Sequence, residues 1–300
     1  MGTVAVSAAG ETVSVTYGTS GKVVYGSNPG GWSVTTKLET GAQALARIDA
    51  AWHPPAWRWW SSGNQVNWAA MPSQMVGRRV VAEIGLTATD TQMIATCQSC
   101  PNDGVRRYVS LCHEPESKTD PATYQAAWAR FAAIHLQYSP PNLRTVLVLM
   151  GASFIPARQA SVGGHTWDEW WPTNHNGINA LGADVYQWMT DVGTTVLSPV
   201  ISAAASYNLD LVIAELGAHR VSPPYSPGLT DAASAQFLTD ATGLLDGYAA
   251  KGHEVTALYF ESDNGNATMV PWALLPPPDG SITPYRPLGA AVWAAACARA

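Results

Sequence analysis

The 300-residue sequence has few charged residues, and its basic residues form no cluster. Only 13% of the residues are charged, and the 16 Lys and Arg residues are scattered along a chain of formal net charge −6. Nucleic-acid grooves and anionic membrane surfaces both require clustered Lys and Arg. The composition therefore argues against nucleic acid and membrane partners, while the 47% of apolar residues excludes a disordered chain.

Long apolar runs, targeting segments and phosphate-binding motifs are also missing. No run approaches the ~18 apolar residues of a membrane span, and the first residues lack the basic and apolar regions of a secretory signal. Neither G-x-G-x-x-G nor G-x-x-x-x-G-K occurs. Because an open, doubly wound sheet usually carries such a motif after an early strand, its absence disfavours that fold.

Cysteine is rare as well. Four cysteines are too few for a disulfide framework. We place Cys97 and Cys100 in a loop, where they could close a small local bridge in an oxidising compartment. Cys112 and Cys297 are predicted to be buried thiols, in a strand and in an Ala-rich terminal helix.

The aromatic residues are unusually rich in Trp and Tyr. Thirteen Trp and eleven Tyr stand against four Phe. Trp and Tyr combine a flat apolar face with one polar group, which suits sites that are half buried and half wet. Sugar rings stack on such faces, so the balance favours a carbohydrate ligand, although any single Trp can equally belong to the core.

Eight strand-like runs alternate with loops and helical segments. Residues 38–51, 121–137, 194–207 and 232–250 are predicted to be helices, with Asp120 as an N-cap and Pro121 opening the second. This alternation predicts a (β/α)8 TIM barrel over residues 21–300. Residues 1–20 form a short N-terminal extension or linker with one or two strands. The runs are Lys22–Gly26, Ala56–Trp60, Val80–Ile84, a fourth ending at Glu114, Thr145–Met150, Ala180–Tyr186, Leu211–Ala214 and Val255–Phe260.

Two glutamates stand where apolar strands stop, and they point to a glycosidase. Glu114 follows Tyr108-Val-Ser-Leu-Cys-His, and Glu215 follows Leu-Val-Ile-Ala. Carboxylates at strand carboxyl ends point into the mouth of a barrel, where two of them can serve as acid and nucleophile across one glycosidic bond. In an alternative interpretation, Glu114 forms a salt bridge and Glu116 is the catalytic group.

Three short motifs resemble glycoside hydrolase family 26, the β-mannanase-like retaining enzymes. They are His113-Glu114-Pro, Glu215-Leu-Gly and the segment from Trp171-Pro to Gly182-Ala-Asp184-Val-Tyr186. The resemblance implies a barrel with catalytic glutamates on strands four and seven. It makes Glu114 the acid/base and Glu215 the nucleophile, with Tyr186 near Glu215 and His113 lining the site. One departure is that Tyr259-Phe260-Glu261 occupies the place of the strand-eight Trp common in the clan, which leaves mannan specificity open.

Further residues on the same barrel face are expected to bind sugar. Together with His113, Tyr186 and Asp184 they are Trp60, Trp167, Trp171, Trp188, Glu83, Glu261 and Asp263. We expect no metal ion or other cofactor. The predicted protein is an endo-acting hydrolase of a neutral polysaccharide such as a cell-wall glycan. It is a monomer or part of a larger multidomain or surface assembly, and is secreted or associated with a virion or cell surface.

Two other functions remain open at this point. One is a catalytically silent glycan-binding or receptor-binding protein on the same barrel. The other is a metal-dependent barrel enzyme that uses His113, Glu114, Asp184 and Glu215 as ligands. The sequence gives the metal-dependent enzyme less support, because no predicted helix carries a paired-His motif.

Overall fold

Eight parallel strands close into a barrel in the computed structural model, which describes residues 2–8, 11–17, 23–31, 39–60, 63–172, 177–186, 193–217, 231–262 and 287–299. The strands of this part are β1 (Gly2–Ala8), β2 (Glu11–Tyr17), β3 (Val23–Gly31), β4 (Ala56–Trp59), β5 (Arg79–Ile84), β6 (Arg107–Leu111), β7 (Leu143–Met150), β8 (Ala180–Tyr186), β9 (Asp210–Gly217) and β10 (Val255–Ser262). The barrel order is β10-β3-β4-β5-β6-β7-β8-β9. The predicted barrel is therefore confirmed, and its strands four and seven are β6 and β9.

The helices of the described residues lie between and after these strands. Three of them begin at clear capping signals. The side chains of Thr40, Thr89 and Asp120 accept hydrogen bonds from the amides of Gln43, Gln92 and Thr123, respectively. Within the described residues, no helix is long and apolar enough to cross a membrane. The helices are α1 (Gly41–Trp52), α2 (Asp90–Gln98), α3 (Pro121–Tyr138), α4 (Gly193–Ser206), α5 (Asp231–Ala249) and α6 (Pro287–Cys297).

The chain divides into two compact units. One consists of Met1–Pro55, Val185–Ser198 and Glu215–Ala300, and the other of Ala56–Asp184 and Pro199–Ala214. In the first unit β1 and β2 form an antiparallel hairpin that contacts α6 and α5. The N-terminal extension predicted over residues 1–20 thus contains two strands.

The core of the second unit consists of strands buried on both faces. In β7, the residues from Val146 to Leu149 are fully buried, and β8 pairs with them in parallel register. Burial of each such side chain contributes about 1.5–3 kcal/mol, and a continuous apolar run is what a parallel strand requires. This explains why the apolar runs of the sequence locate the strands well.

Three local predictions are corrected. The fourth barrel strand ends at Leu111, three residues before Glu114, because the backbone leaves the strand conformation at Cys112. Cys97 lies inside α2, a helix that the sequence analysis missed, and not in a loop. All four cysteines are buried free thiols, so the suggested bridge between Cys97 and Cys100 is not formed, whereas buried Cys112 and Cys297 are confirmed.

Gly182 of β8 is expected to tolerate no side chain. A Cβ there would lie 2.8 Å from Cγ2 of Val148 and 2.9 Å from Cγ2 of Val146. Gly182→Ala should therefore lower the free energy of unfolding by about 1–3 kcal/mol in a denaturant titration. The control is Gly243→Ala in α5, where a Cβ meets nothing within 4 Å and alanine should stabilise by about 0.5–1 kcal/mol. Equal unfolding midpoints for Gly182→Ala and wild type would contradict this packing.

Candidate active site

Glu114 lies in a strained loop directly after β6. Within residues 112–119, here called the Glu114 loop, Cys112 and Glu114 adopt left-handed backbone conformations with φ of 53° and 49°. Such conformations cost a non-glycine residue on the order of 1 kcal/mol or more, and they concentrate at functional sites. The half-buried Glu114 carboxyl is therefore held at a position that the backbone reaches only at an energetic cost.

Glu116, the alternative catalytic residue, has a different environment. Its Oε1 accepts hydrogen bonds from the Met150 amide at 2.8 Å and from the Ser153 hydroxyl at 2.6 Å. Burial raises the pKa of Glu116 to about 6, although these hydrogen bonds act in the opposite direction. The side chain thus connects the Glu114 loop to the end of β7, which is a structural role.

His113 and Asp184 form a buried pair beside Glu114. Nε2 of His113 lies 2.9 Å from Oδ2 of Asp184, and both side chains are almost fully buried. Burial, followed by the negative charge of Glu114, raises the pKa of Asp184 well above its ordinary value, and the charge of Arg58 opposes the shift. Asp184 is therefore a carboxyl group that favours its protonated form. Imidazole and carboxylate are also ligand types that metal ions use, so the metal-dependent alternative needs an experimental test.

Arg58 was missed by the sequence analysis. This β4 residue is fully buried, its Nη2 lies 3.0 Å from Oε2 of Glu83, and its Cζ lies 4.5 Å from the centroid of the Trp60 ring. A single Arg inside the apolar aromatic run from Trp57 to Trp60 is a signal that could have identified it, because a buried charge requires compensation. Glu83, predicted to bind sugar, is thus an ion-pair partner of Arg58.

Trp60 combines an exposed ring with fixed neighbours. Its side chain is 42% exposed, although it stands just beyond a buried strand. The ring packs edge-on against His113, with centroids 5.0 Å apart at an interplanar angle of 84°, and Arg58 lies over it. A ring held in this way can offer an apolar surface to a ligand without further ordering.

In the other unit, Glu215 and Tyr186 form a hydrogen-bonded pair. Glu215 is buried within β9, and the hydroxyl of Tyr186, the last residue of β8, donates to its carboxylate. The Tyr186 ring packs edge-on against Phe260 with centroids 6.1 Å apart. A hydrogen bond to a carboxylate favours its charged form. The structure thus contains the contact between Tyr186 and Glu215 that the family resemblance implied.

The remaining predicted sugar-binding residues are only partly described. Trp167 stacks on Phe154 with centroids 5.8 Å apart, and Trp171 packs against Tyr207 at 4.6 Å. Both Trp residues lie in the connection between β7 and β8 and belong to an aromatic cluster with Phe154 and Tyr207. Their binding role stays a prediction. Trp188, Asp263 and the side chain of Glu261 lie outside the described residues.

The titration of Glu116 predicts a pH-dependent stability difference between wild type and Glu116→Gln. Because the pKa is raised from 4.5 to about 6 in the folded protein, the folded state binds more protons than the unfolded chain between these values. Wild type therefore loses stability relative to the Gln variant as pH rises through this window, by about 2 kcal/mol, and the difference is constant at higher pH.

Denaturant titrations across the acidic range measure this difference. Asp120→Asn is the matched control, since hydrogen bonds with Thr123 lower the pKa of Asp120. Wild type should gain stability relative to that variant as pH rises, which is the opposite sign. A Glu116→Gln difference that does not vary with pH would contradict the buried environment of the carboxyl group.

Comparison with known proteins finds similar folds among solved structures. No protein-family model matches the sequence, and no curated protein does. Among solved structures, a subgroup I endo-β-1,3-glucanase variant of Amycolatopsis mediterranei, in complex with laminaritriose and laminaribiose, is similar with a TM-score of 0.59 and 13% identity over 91% of this chain and 99% of that one. A subgroup II endo-β-1,3-glucanase of Sorangium cellulosum matches with a TM-score of 0.55 and 15% identity over 90% and 97%.

A third similar structure is a subgroup VII oligosaccharide-binding protein of Trichoderma gamsii. It has a TM-score of 0.53 and 15% identity over 91% of this chain and 94% of that one. The assignment to family 26 is not supported, since these structures belong to family 128. At such low identity the likeness concerns the fold alone: the chain has the (β/α)8 architecture found in family 128 glycoside hydrolases.

Proposed function

We propose that the protein is a retaining, endo-acting glycoside hydrolase whose substrate is a neutral β-1,3-linked glucan. The observation that carries the proposal is the position of two glutamates, Glu114 directly after β6 and Glu215 near the end of β9. The carboxyl ends of the strands carry the active site in (β/α)8 enzymes. Strands four and seven of the barrel thus supply one carboxyl group each, as a double-displacement mechanism requires.

The environments support different roles for the two groups. Glu215 accepts a hydrogen bond from Tyr186, which favours the carboxylate and suits a nucleophile that attacks the anomeric carbon. In the proposed mechanism, Glu114 donates its proton to the leaving glycosidic oxygen while Glu215 forms the glycosyl-enzyme bond. Glu114 then accepts a proton from the water that attacks this bond, which releases the sugar and restores both groups.

The substrate class is supported by two observations. The similar solved structures include endo-β-1,3-glucanases bound to laminari-oligosaccharides. The 13% charged residues and the exposed ring of Trp60 fit a neutral sugar better than an acidic one. The proposed partner is thus a glucan chain whose pyranose faces pack on aromatic rings.

An oligosaccharide-binding protein without activity is the second candidate. It is favoured by one observation, the similarity to the Trichoderma gamsii protein described as oligosaccharide-binding. Because one fold supports both functions, only the chemistry of the two glutamates separates them.

Glu114→Gln and Glu215→Gln should each abolish most of the hydrolysis of laminari-oligosaccharides. Loss of the acid/base lowers kcat by about 10²–10⁴-fold, and loss of the nucleophile removes the covalent route altogether. Release of reducing sugar measures the rate, and proton NMR of the first product gives its anomeric configuration. Asp90→Asn is the control and should retain full activity. It alters a carboxylate of α2 that pairs with Arg130 of α3.

The outcomes separate the candidate functions. Full activity in either Gln variant would contradict the assigned roles, and an inverted first product would contradict double displacement. Binding without hydrolysis by wild type would favour the silent binding protein. Loss of activity with a chelator, restored by a divalent cation, would favour the metal-dependent alternative.

Trp60→Ala should weaken glucan binding. The exposed ring is held by His113 and Arg58 before the ligand binds. The sugar can therefore pack on the ring with little loss of side-chain entropy, and removing the ring removes this favourable contact. We expect the Kd of laminari-oligosaccharides, measured by calorimetry with Glu114→Gln as background, to rise about tenfold, which corresponds to ~1.4 kcal/mol. Leu136→Ala removes an exposed apolar side chain of α3 and should leave the Kd unchanged. An unchanged Kd for Trp60→Ala would exclude the ring from the binding surface.

A further inference from the structure

The Glu114 loop makes an unusual turn that something must hold in place. Two of its first three residues, Cys112 and Glu114, have left-handed backbone conformations. Non-glycine residues adopt this conformation only where the surrounding structure compensates its cost. The orientation of the Glu114 side chain depends directly on this backbone, because the Cα–Cβ bond direction follows from φ and ψ.

Backbone hydrogen bonds fix part of the loop. The Glu114 amide donates to the Val148 carbonyl at 3.3 Å, and the Ser117 hydroxyl donates to the Glu114 carbonyl at 3.1 Å. The Lys118 ammonium donates to the carbonyl of His113. The first of these bonds is long for an amide donor, so the contact of the loop with β7 needs additional support.

Glu116 provides that support two residues after Glu114. Beyond Leu111, where β6 has ended, its Oε1 accepts the Met150 amide and the Ser153 hydroxyl. Both bonds are shorter than the backbone bond at Glu114, as expected for a charged acceptor. The Glu116 side chain therefore links the loop to the end of β7 by hydrogen bonds, at a point where β6 has ended.

We propose that Glu116 is a positioning residue, which holds Glu114 in its left-handed conformation through hydrogen bonds to Met150 and Ser153. The inference rests on the proposed function, since the purpose of this arrangement is to place the Glu114 carboxyl group. Glu116 itself touches neither substrate nor reacting atoms in this mechanism. A displacement of about 1 Å at a catalytic group can reduce the rate on the order of 10²-fold, so the loss of these two bonds should affect kcat.

The test compares Glu116→Ala, Glu116→Gln and Asp120→Ala. Asp120 is the matched control, because its carboxylate also accepts a backbone amide and a hydroxyl, those of Thr123, within the same connection between β6 and α3. We expect Glu116→Ala to lower kcat on laminari-oligosaccharides on the order of 10²-fold with little change in KM. Glu116→Gln keeps an acceptor oxygen and should restore kcat to within a few-fold of wild type. Asp120→Ala should lower stability without changing kcat.

Hydrogen exchange gives a second measurement that does not require activity. In Glu116→Ala the amide of Glu114 should exchange at least tenfold faster than in wild type, and in Asp120→Ala its exchange should be unchanged. Equal kcat losses in the two Ala variants, no rescue by Gln, or unchanged exchange at Glu114 would overturn the inference. If wild type hydrolyses nothing while exchange responds as expected, the proposed function fails but the positioning of the loop by Glu116 stands.

Discussion

The site depends on one constraint, that a charge buried in the barrel must be compensated by its neighbours. Arg58 is a fully buried cation of the second unit. It pairs with Glu83, lies over the ring of Trp60 and opposes the upward pKa shift of Asp184. The ion pair joins β4 to β5, and the charge of the same guanidinium group acts on Asp184 of β8. The planar fork of Arg58 is pre-organised, so little conformational freedom is lost in its hydrogen bond to Glu83.

The same constraint gives three neighbouring carboxyl groups different properties. Asp184 is fully buried next to another carboxyl group and favours its neutral form. Glu116 is stabilised by two donors, and burial still raises its pKa to about 6. Glu114 remains half-buried, at the edge of the cluster. Enzymes that use several carboxyl groups separate their roles by such differences of environment.

The sequence predicts the barrel well because apolar runs and capping residues are local signals. It predicts contacts poorly, because contacts join distant segments. The missed helix α2 carries a recognisable capping box, in which Thr89 and Gln92 bond reciprocally. By contrast, the bonds of Glu116 to Met150 and Ser153 span 34 and 37 residues, and no local pattern indicates them. The three short motifs resembled family 26, whereas the similar solved structures belong to family 128, so motifs of this length predicted the barrel but not the family.

A shared barrel leaves the function to the residues at its strand ends. Similar solved structures include hydrolases and an oligosaccharide-binding protein at nearly equal identity, so overall similarity cannot distinguish these functions. The feature that favours catalysis is the energetic cost of the local structure around Glu114. A protein that only binds sugar needs exposed rings such as Trp60, but it does not need a glutamate in a left-handed conformation supported by a second buried carboxyl group. Such strain concentrates where precise placement of a side chain matters. In the described residues it occurs at Cys112 and Glu114 of the Glu114 loop, whereas the left-handed His53 and Asn208 follow the ends of α1 and α4.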